Sequence, residues 1–398
     1  MPLADVDTPA LIVDLDALER NLRRMADAIA PTGVRLRPHA KTHKSPEVAR
    51  RQMALGAVGV CCQKVAEAEV MVAGGITDVL VSNEVAGARK LARLAALARR
   101  ARIGICVDAA ANVEEIERAA AAAEVAIDVL VEIDVGGRRC GVTPGAAAAQ
   151  LALRVAAAKH LNFKGLQAYY GSAQHVREAA ERQAHIARAV AHVEATLGAL
   201  EAAGLKAAIV SGAGTGTFEH EAASRVYNEL QPGSYVFMDA DYARNKRADG
   251  GPFDRFEHAL FVYASIMSAP APERRVLDAG LKAFAIDSGM PVPWQLPGAV
   301  YLRPSDEHGN LDVTACPHPP SAVPRSYWCP ATATQRSICT TGTLPCGGSA
   351  PRPGLRPCGR SRRGGPCSRP GQRRWARHCE TVGKSRYERS VTSSRRIA

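Results

Sequence analysis

Short apolar runs recur up to about residue 245, each followed by a longer Ala/Leu/Arg/Glu stretch with helical spacing. The runs at 34–37, 58–61, 78–81, 103–107, 128–133, 165–169, 207–210 and 235–238 predict strands. Segments such as 46–55, 65–73, 146–158 and 176–203 predict amphipathic helices between them. Eight strand–helix units predict an α/β fold, a closed parallel (β/α)8 barrel over 17–250. A doubly wound sheet shares the alternation, but no G-x-G-x-x-G follows the first strand. From Glu257 the period shortens, and 259–267, 275–278 and 300–302 read as strands with few helices between them. They predict a partial β-rich domain over 251–312. The segment 8–16 is expected to supply an N-terminal strand (domain 1–16) that pairs with it, before a helix over 17–29.

Beyond about Asp312 the periodicity disappears and Pro, Arg, Cys, Ser and Gly dominate, so 313–398 reads as a disordered basic tail. Charge divides at the same place. Sixteen of the 51 Lys+Arg and two of the 39 Asp+Glu lie beyond Asp312, so the first 312 residues carry a net −2 within the overall +12. A nucleic-acid binder, argued from net charge, therefore has no support in the body of the chain. Cys61, Cys62, Cys106 and Cys140 have no zinc spacing and read as reduced thiols in apolar surroundings. No run reaches the ~20 apolar residues of a membrane helix and no signal-peptide pattern opens the chain, so a cytoplasmic location is expected.

In a barrel the residues that follow strands gather at one face, which makes neighbours of Lys41, Cys62-Gln63-Lys64, Asn83-Glu84, Asp108, Arg139, Tyr169, Ser211 and Asp239. Lys41 ends the first strand within Pro38-His39-Ala40-Lys41-Thr42-His43-Lys44. An ammonium carried into a low-dielectric site loses hydration, its pKa falls, and the free amine becomes a nucleophile toward carbonyls. His39, His43 and Lys44 are expected to push the same way as like charges. The stretch Ser211-Gly212-Ala213-Gly214-Thr215-Gly216-Thr217 follows the seventh strand, and Gln231-Pro232-Gly233-Ser234-Tyr235 enters the eighth. Backbone N–H groups and hydroxyls in such turns cradle a phosphate, and barrels place phosphate sites at these loops. A phosphate site facing a lysine suits pyridoxal 5'-phosphate, with Lys41 holding its aldehyde. On spacing alone, Lys41 also fits a solvated basic loop, Arg139 a surface ion pair and His175 a helix cap.

These motifs resemble the fold-type III pyridoxal-phosphate enzymes with an alanine-racemase-like barrel, in the branch of the D-threonine and D-3-hydroxyaspartate aldolases. The likeness runs from Thr8-Pro9 through residues 38–44, Val60-Cys61-Cys62-Gln63-Lys64, Arg138-Arg139-Cys140-Gly141-Val142, Gln167-Ala168-Tyr169 with His175, residues 211–216, Gly233-Ser234-Tyr235 and Asp278-Ala279-Gly280-Leu281-Lys282 to Ser305-Asp306-Glu307-His308-Gly309. It implies that Lys41 bonds the cofactor aldehyde, Arg139 faces the pyridine nitrogen, Tyr169 lines the cofactor, and His175 removes the substrate's β-hydroxyl proton. His39, Ser211, Gly212, Gly214, Thr215, Gly233, Ser234 and Tyr235 complete the expected cofactor site. The implied reaction is retro-aldol cleavage of a D-β-hydroxy-α-amino acid to glycine and an aldehyde, assisted by a divalent cation (Mn, Mg or Co type). A homodimer whose partner β domain completes each site is implied as well. A D-serine dehydratase-like lyase and a non-catalytic pyridoxal-phosphate-binding protein are the alternatives. A racemase would need a second base opposite Lys41 that the sequence does not identify.

The family's metal site uses an H-C-D motif in the β domain, and the chain as written has none. Shifting the reading frame by one base recovers it. Across residues 328–343 the permitted codons include V-P-G-H-C-D-P-T-V-N-L-H-D-W-Y, and across 355–361 they include E-A-L-W-P-V. A frameshift between about Asp312 and Pro320 is therefore expected, with the residues beyond it out of frame and Cys329, Cys339, His318 and His378 incidental; the chain as written then lacks its metal ligands and several core strands, and an inactive product is one expectation. A cysteine replaces the motif's aspartate in the dehydratase branch, so the recovered H-C-D favours the aldolase.

Overall fold

The computed structural model describes residues 3–321 and, as backbone, 325–329. Leu3–Asp5 is a single 3-10 turn. Strand β1 (Ala10–Val13) leads into helix α1 (Leu15–Ile29), whose first turn is capped by Asp14 accepting the Ala17 N–H at 3.0 Å. Helix α1 buries Leu18, Leu22, Met25 and Ile29, the stripe expected of a 3.6-residue period.

Eight parallel strands follow: β2 (Arg35–Leu36), β3 (Val60–Cys62), β4 (Asp78–Val81), β5 (Arg102–Val107), β6 (Ile127–Glu132), β7 (Leu161–Ala168), β8 (Ile209–Gly212) and β9 (Glu229–Leu230). Helices α2 (Pro46–Ala54), α3 (Val65–Ala73), α4 (Ala88–Leu97), α5 (Ala110–Ala122), α6 (Ala146–Ala157), α7 (Ala179–Ala202) and α8 (Phe218–Ala223) separate them. The sheet runs β3 to β9 and then β2. It closes where the Val58 N–H donates to the Leu36 carbonyl (2.9 Å) and the Cys61 N–H to that of Pro38 (2.8 Å).

Strand parity separates two apolar layers. Cys61, Leu80, Cys106, Leu130 and Ile209 form one buried cluster, and the alternating Val60, Cys62, Val79, Val81, Ile105, Val107, Val129 and Val131 pack into another that includes helix residues. Strands buried on both faces read as continuous apolar runs, which is why the sequence displays them so plainly. Burial raises the thiol pKa of Cys61, Cys62 and Cys106, so these cysteines are small packing residues. The barrel also encloses an ion network: Arg37 Nε lies 2.9 Å from Glu229 Oε1, and Arg37 Nη1 lies 2.6 Å from Asp78 Oδ1.

Antiparallel pairing takes over at β10 (Leu260–Ala271), which pairs with β1, β11 (Arg274–Leu277) and β15 (Arg325–Cys329). Strands β12 (Val292–Pro293), β13 (Val300–Tyr301) and β14 (Gly309–Asp312) complete a sheet over a core of Val262, Ile266, Leu277, Phe284, Tyr301 and Leu311. The expected pairing of the N-terminal strand with this sheet is present, Ala10 opposite Tyr263. The ordered chain passes residue 312: Val313 and Cys316 are buried, and the Val313 N–H donates to the Glu273 carbonyl at 2.8 Å. Residues 322–324 and 330–398, with most of the shifted-frame motif and the expected disordered tail, lie outside the described residues.

One strand is displaced from its expected position. The eighth is Glu229–Leu230, and the expected run over 235–238 opens with a 3-10 turn, Ser234–Val236. Tyr235, Val236, Phe237 and Met238 are all buried, so the apolar run reflects burial rather than a ladder. Among the described residues no helix is long and apolar enough to cross a membrane.

Candidate active site

Lys41 lies in the 3-10 turn Ala40–Thr42 that follows β2. Its N–H donates to His39 Nδ1 at 3.3 Å, so the His39 proton sits on Nε2, 3.3 Å from Ser82 Oγ. Burial, then the Lys41 charge, holds His39 far below the ordinary histidine range, and burial brings His43 down to about 4. Both rings are therefore neutral, and Lys44 is paired with Glu67 at 3.2 Å. The basic neighbours expected to repel a proton from Lys41 do not do so. Burial lowers the Lys41 pKa first and the Arg139 charge second, a guanidinium delivered from another loop of the barrel. The Lys41 pKa is lowered, for a reason partly different from the expected one.

The Tyr169 ring, just past β7, lies near both basic side chains: its centroid is 5.8 Å from Lys41 Nζ and 5.4 Å from Arg139 Cζ. Burial pushes its phenol up to about 12. Arg139 Nη2 donates to Glu132 Oε1 at 3.2 Å. Burial, then the neighbouring Glu84, raises the Glu132 pKa above the ordinary carboxylate range, against the pull of Arg139. Arg139 is thus anchored by Glu132 on one side while it lines the cavity.

Lys41, His39, Arg139, Tyr169, His175, Gly214, Thr215, Gly233 and Ser234 line one cavity of about 420 Å³. Three other expected cofactor residues are not in its wall. Ser211 Oγ donates to Glu229 Oε1 at 3.2 Å inside the barrel, and the Tyr235 hydroxyl accepts from Gln52 Nε2 at 2.9 Å. A Cβ on Gly212 would stand 2.5 Å from the Ala168 carbonyl, so that glycine serves strand packing. Strand parity sends Ser211 inward, and the 3-10 turn points Tyr235 into the core.

The remaining loop residues form a cradle. Thr215 Oγ1 accepts the Tyr235 N–H at 3.0 Å and ties the two glycine turns together. Among the described residues, the N–H groups of Gly214, Thr215 and Gly233 have no protein acceptor. Neither glycine admits a side chain: a Cβ would meet Gln174 Oε1 at 2.4 Å from Gly214 and the His39 carbonyl at 2.9 Å from Gly233. Free N–H groups against a close backbone suit an oxyanion group, with Lys41 in the same cavity.

His175 is the last residue of a 3-10 turn, Ser172–His175, ahead of α7 rather than at a helix start. Its Nδ1 lies 2.5 Å from Asp241 Oδ2. Asp241 sits beyond the expected strand-end positions, and sequence pattern did not select it. Nor did it select Ser288, which reaches the cavity from the β-rich part of the chain. Gln63 and Asp239, both near strand-end positions in the sequence, do line the cavity.

A model of the alanine racemase N-terminal domain matches residues 13–241 of this chain. The chain belongs to that family. A second model, a putative serine dehydratase domain, matches 259–326, where the antiparallel strands begin. Within the family the chain is 50% identical over 313 residues to a D-threonine aldolase from Arthrobacter sp, covering 78% of this chain and 82% of that protein. It is 47% identical over 316 residues to a 3-hydroxy-D-aspartate aldolase from Paracoccus denitrificans (strain Pd 1222), with the same coverage. The crystal structure of D-threonine aldolase from Filomicrobium marinum superposes with a TM-score of 0.82 at 55% identity, covering 85% of this chain and 91% of that one. The resemblance drawn from the motifs, and with it the barrel fold, is borne out.

Proposed function

We propose that this chain is a pyridoxal-phosphate-dependent lyase that cleaves D-β-hydroxy-α-amino acids of the D-threonine or D-3-hydroxyaspartate type to glycine and an aldehyde. The observation that carries the reading is a buried amine of lowered pKa sharing one cavity with an N–H cradle that excludes side chains. These residues fit pyridoxal 5'-phosphate: Gly214, Thr215 and Gly233 would receive the phosphate and Lys41 the aldehyde. When bound, the group supplies an electron sink for the pair released as the Cα–Cβ bond breaks. Lys41 contributes an amine that is nucleophilic because burial and Arg139 disfavour its protonation. Arg139 offers fixed charge and N–H donors but gives up no proton, so it orients a ring nitrogen without protonating it. His175, in the cavity wall, accepts the β-hydroxyl proton.

The divalent cation of related enzymes does not fit the described residues at this cavity. Their one group of three possible ligands, Glu84, Asp108 and Cys140, does not line it. The frameshift reading accounts for the absence. The stretch that matches the Arthrobacter relative, 313 residues, is about as long as the chain ahead of the proposed shift. Sequencing the DNA decides this, and a second frame without H-C-D would end the idea. A homodimer and a cytoplasmic setting remain part of the proposal.

The experiment is direct. Chain loaded with pyridoxal 5'-phosphate should show an absorbance band near the visible edge that borohydride abolishes and Lys41→Ala lacks. Frame-corrected chain given D-threonine, with and without added Mn²⁺, should yield glycine and acetaldehyde. Pyruvate and ammonia from D-serine would point instead to a dehydratase, and a band unaffected by Lys41→Ala would overturn the reading.

A further inference from the structure

Asp241 is 3% exposed and holds three partners at its side chain. Oδ2 lies 2.5 Å from His175 Nδ1, while Oδ1 accepts from Arg177 Nη2 at 2.5 Å and from Arg244 Nη2. Arg177 is itself fixed, since its Nη1 donates to the Asp241 carbonyl at 2.7 Å and to Asn245 Oδ1 at 2.8 Å. The Asp241 N–H donates to Asp239 Oδ1 at 3.1 Å, and the His175 ring lies against Tyr242 with centroids 5.4 Å apart. Backbone, carboxylate and ring are thus each held from more than one side.

We infer that Asp241 is the positioning residue of this site, holding His175 in its Nδ1–H tautomer so that Nε2 is the nitrogen able to accept a proton from substrate. The inference rests on the proposed function, in which His175 is the base. A carboxylate can only accept, so the nitrogen facing Asp241 must carry the hydrogen, and a neutral imidazole has one to place. The two arginines keep the carboxylate from rotating. They also keep it ionised: burial would raise its pKa, but hydrogen bonds from His175, Arg177 and Arg244 outweigh that and hold it below the usual carboxylate range.

Asp241→Asn reverses this donor pattern. Arg177 and Arg244 still require an acceptor, so the amide carbonyl takes the place of Oδ1 and the NH2 group faces His175. Nδ1 must then accept, the proton moves to Nε2, and the nitrogen left for the substrate is no longer basic. An acid-to-amide change of this kind costs about 10⁴-fold in kcat in the serine-protease triad, through the wrong tautomer.

Histidine ring nitrogens labelled with ¹⁵N, with His175 assigned by its loss in His175→Gln, report the tautomer directly at mildly alkaline pH. In the unaltered chain the protonated nitrogen of His175 should be Nδ1, and in Asp241→Asn it should be Nε2. Turnover of D-threonine by the loaded enzyme should fall about 10²- to 10⁴-fold in kcat, with KM nearly unchanged. An Nε2–H signal for His175 in the unaltered chain overturns the inference, whether or not the variant folds. So does an Asp241→Asn chain that keeps both its tautomer and its kcat. The two ideas fail separately. A frame-corrected chain with His175 in the Nδ1–H form that never cleaves D-threonine sinks the proposed function and leaves the tautomer assignment standing. A chain that cleaves D-threonine with the proton on Nε2 does the reverse.

Discussion

Gly214 offers the sharpest test of the cradle, because adding one methyl group has nowhere to go. A Cβ there stands 2.4 Å from Gln174 Oε1 and 2.6 Å from its Cδ. Gln174 is completely buried and cannot swing aside cheaply. Its Nε2 donates to the Tyr170 carbonyl at 3.2 Å and to Thr217 Oγ1 at 2.7 Å, and its Oε1 accepts the Gly216 N–H at 3.0 Å. Displacing it forfeits three hydrogen bonds worth about 1 kcal/mol each net, so Gly214→Ala should cost about 3 kcal/mol of stability if the side chain yields. If the loop yields instead, the Gly214 and Thr215 N–H groups move off the anion. Losing one charge-assisted bond of about 2 kcal/mol weakens binding of pyridoxal 5'-phosphate roughly 30-fold. Titration followed by absorbance, beside urea denaturation, reads both costs. Gln174→Ala added to Gly214→Ala removes the clash and should restore part of the lost affinity, a coupling that independent sites do not show. Gly214→Ala with unaltered affinity and stability would refute the argument, since it requires that this space be full.

Three further outcomes follow from the same structure. Arg37→Ala removes the near cation of the fully buried Glu229, leaving it the Ser211 hydroxyl and Arg35 at 3.8 Å, and should destabilise the barrel by about 3 kcal/mol in urea denaturation. Burial pushes Glu221 up to about 7, above its ordinary 4.5, so the folded chain binds that proton more tightly than the unfolded one. Stability is then greatest below the ordinary value and falls as pH rises through about 7. Glu221→Gln should be more stable than the parent in alkaline buffer, by an amount approaching about 3 kcal/mol, with the advantage gone in acid, as denaturation at two pH values will show. Finally, Mn²⁺ should stimulate D-threonine cleavage only in a frame-corrected chain, and EDTA should abolish only that stimulation; a Mn²⁺ response in the chain as written would contradict the metal reading.

Sequence alone determined the barrel, the start of the antiparallel region, and the lysine and glycine loops. Each of these is a local pattern: strands buried on both faces are apolar along their length, and a reactive amine or a tight turn needs particular residue types. Tertiary structure decided which of the named residues meet. Tyr235 to Met238 looked like a strand because a strand and a buried 3-10 turn are equally apolar. Ser211 looked like a phosphate ligand until strand parity sent it toward Glu229. His39 and His43 looked cationic until burial made them neutral, leaving Arg139 as the charge that depresses Lys41. Asp241 carried no signal at all, since its place beside His175 spans 66 positions of chain. Desolvation and pairing depend on what surrounds a group from all sides, and a linear sequence shows only what precedes and follows it.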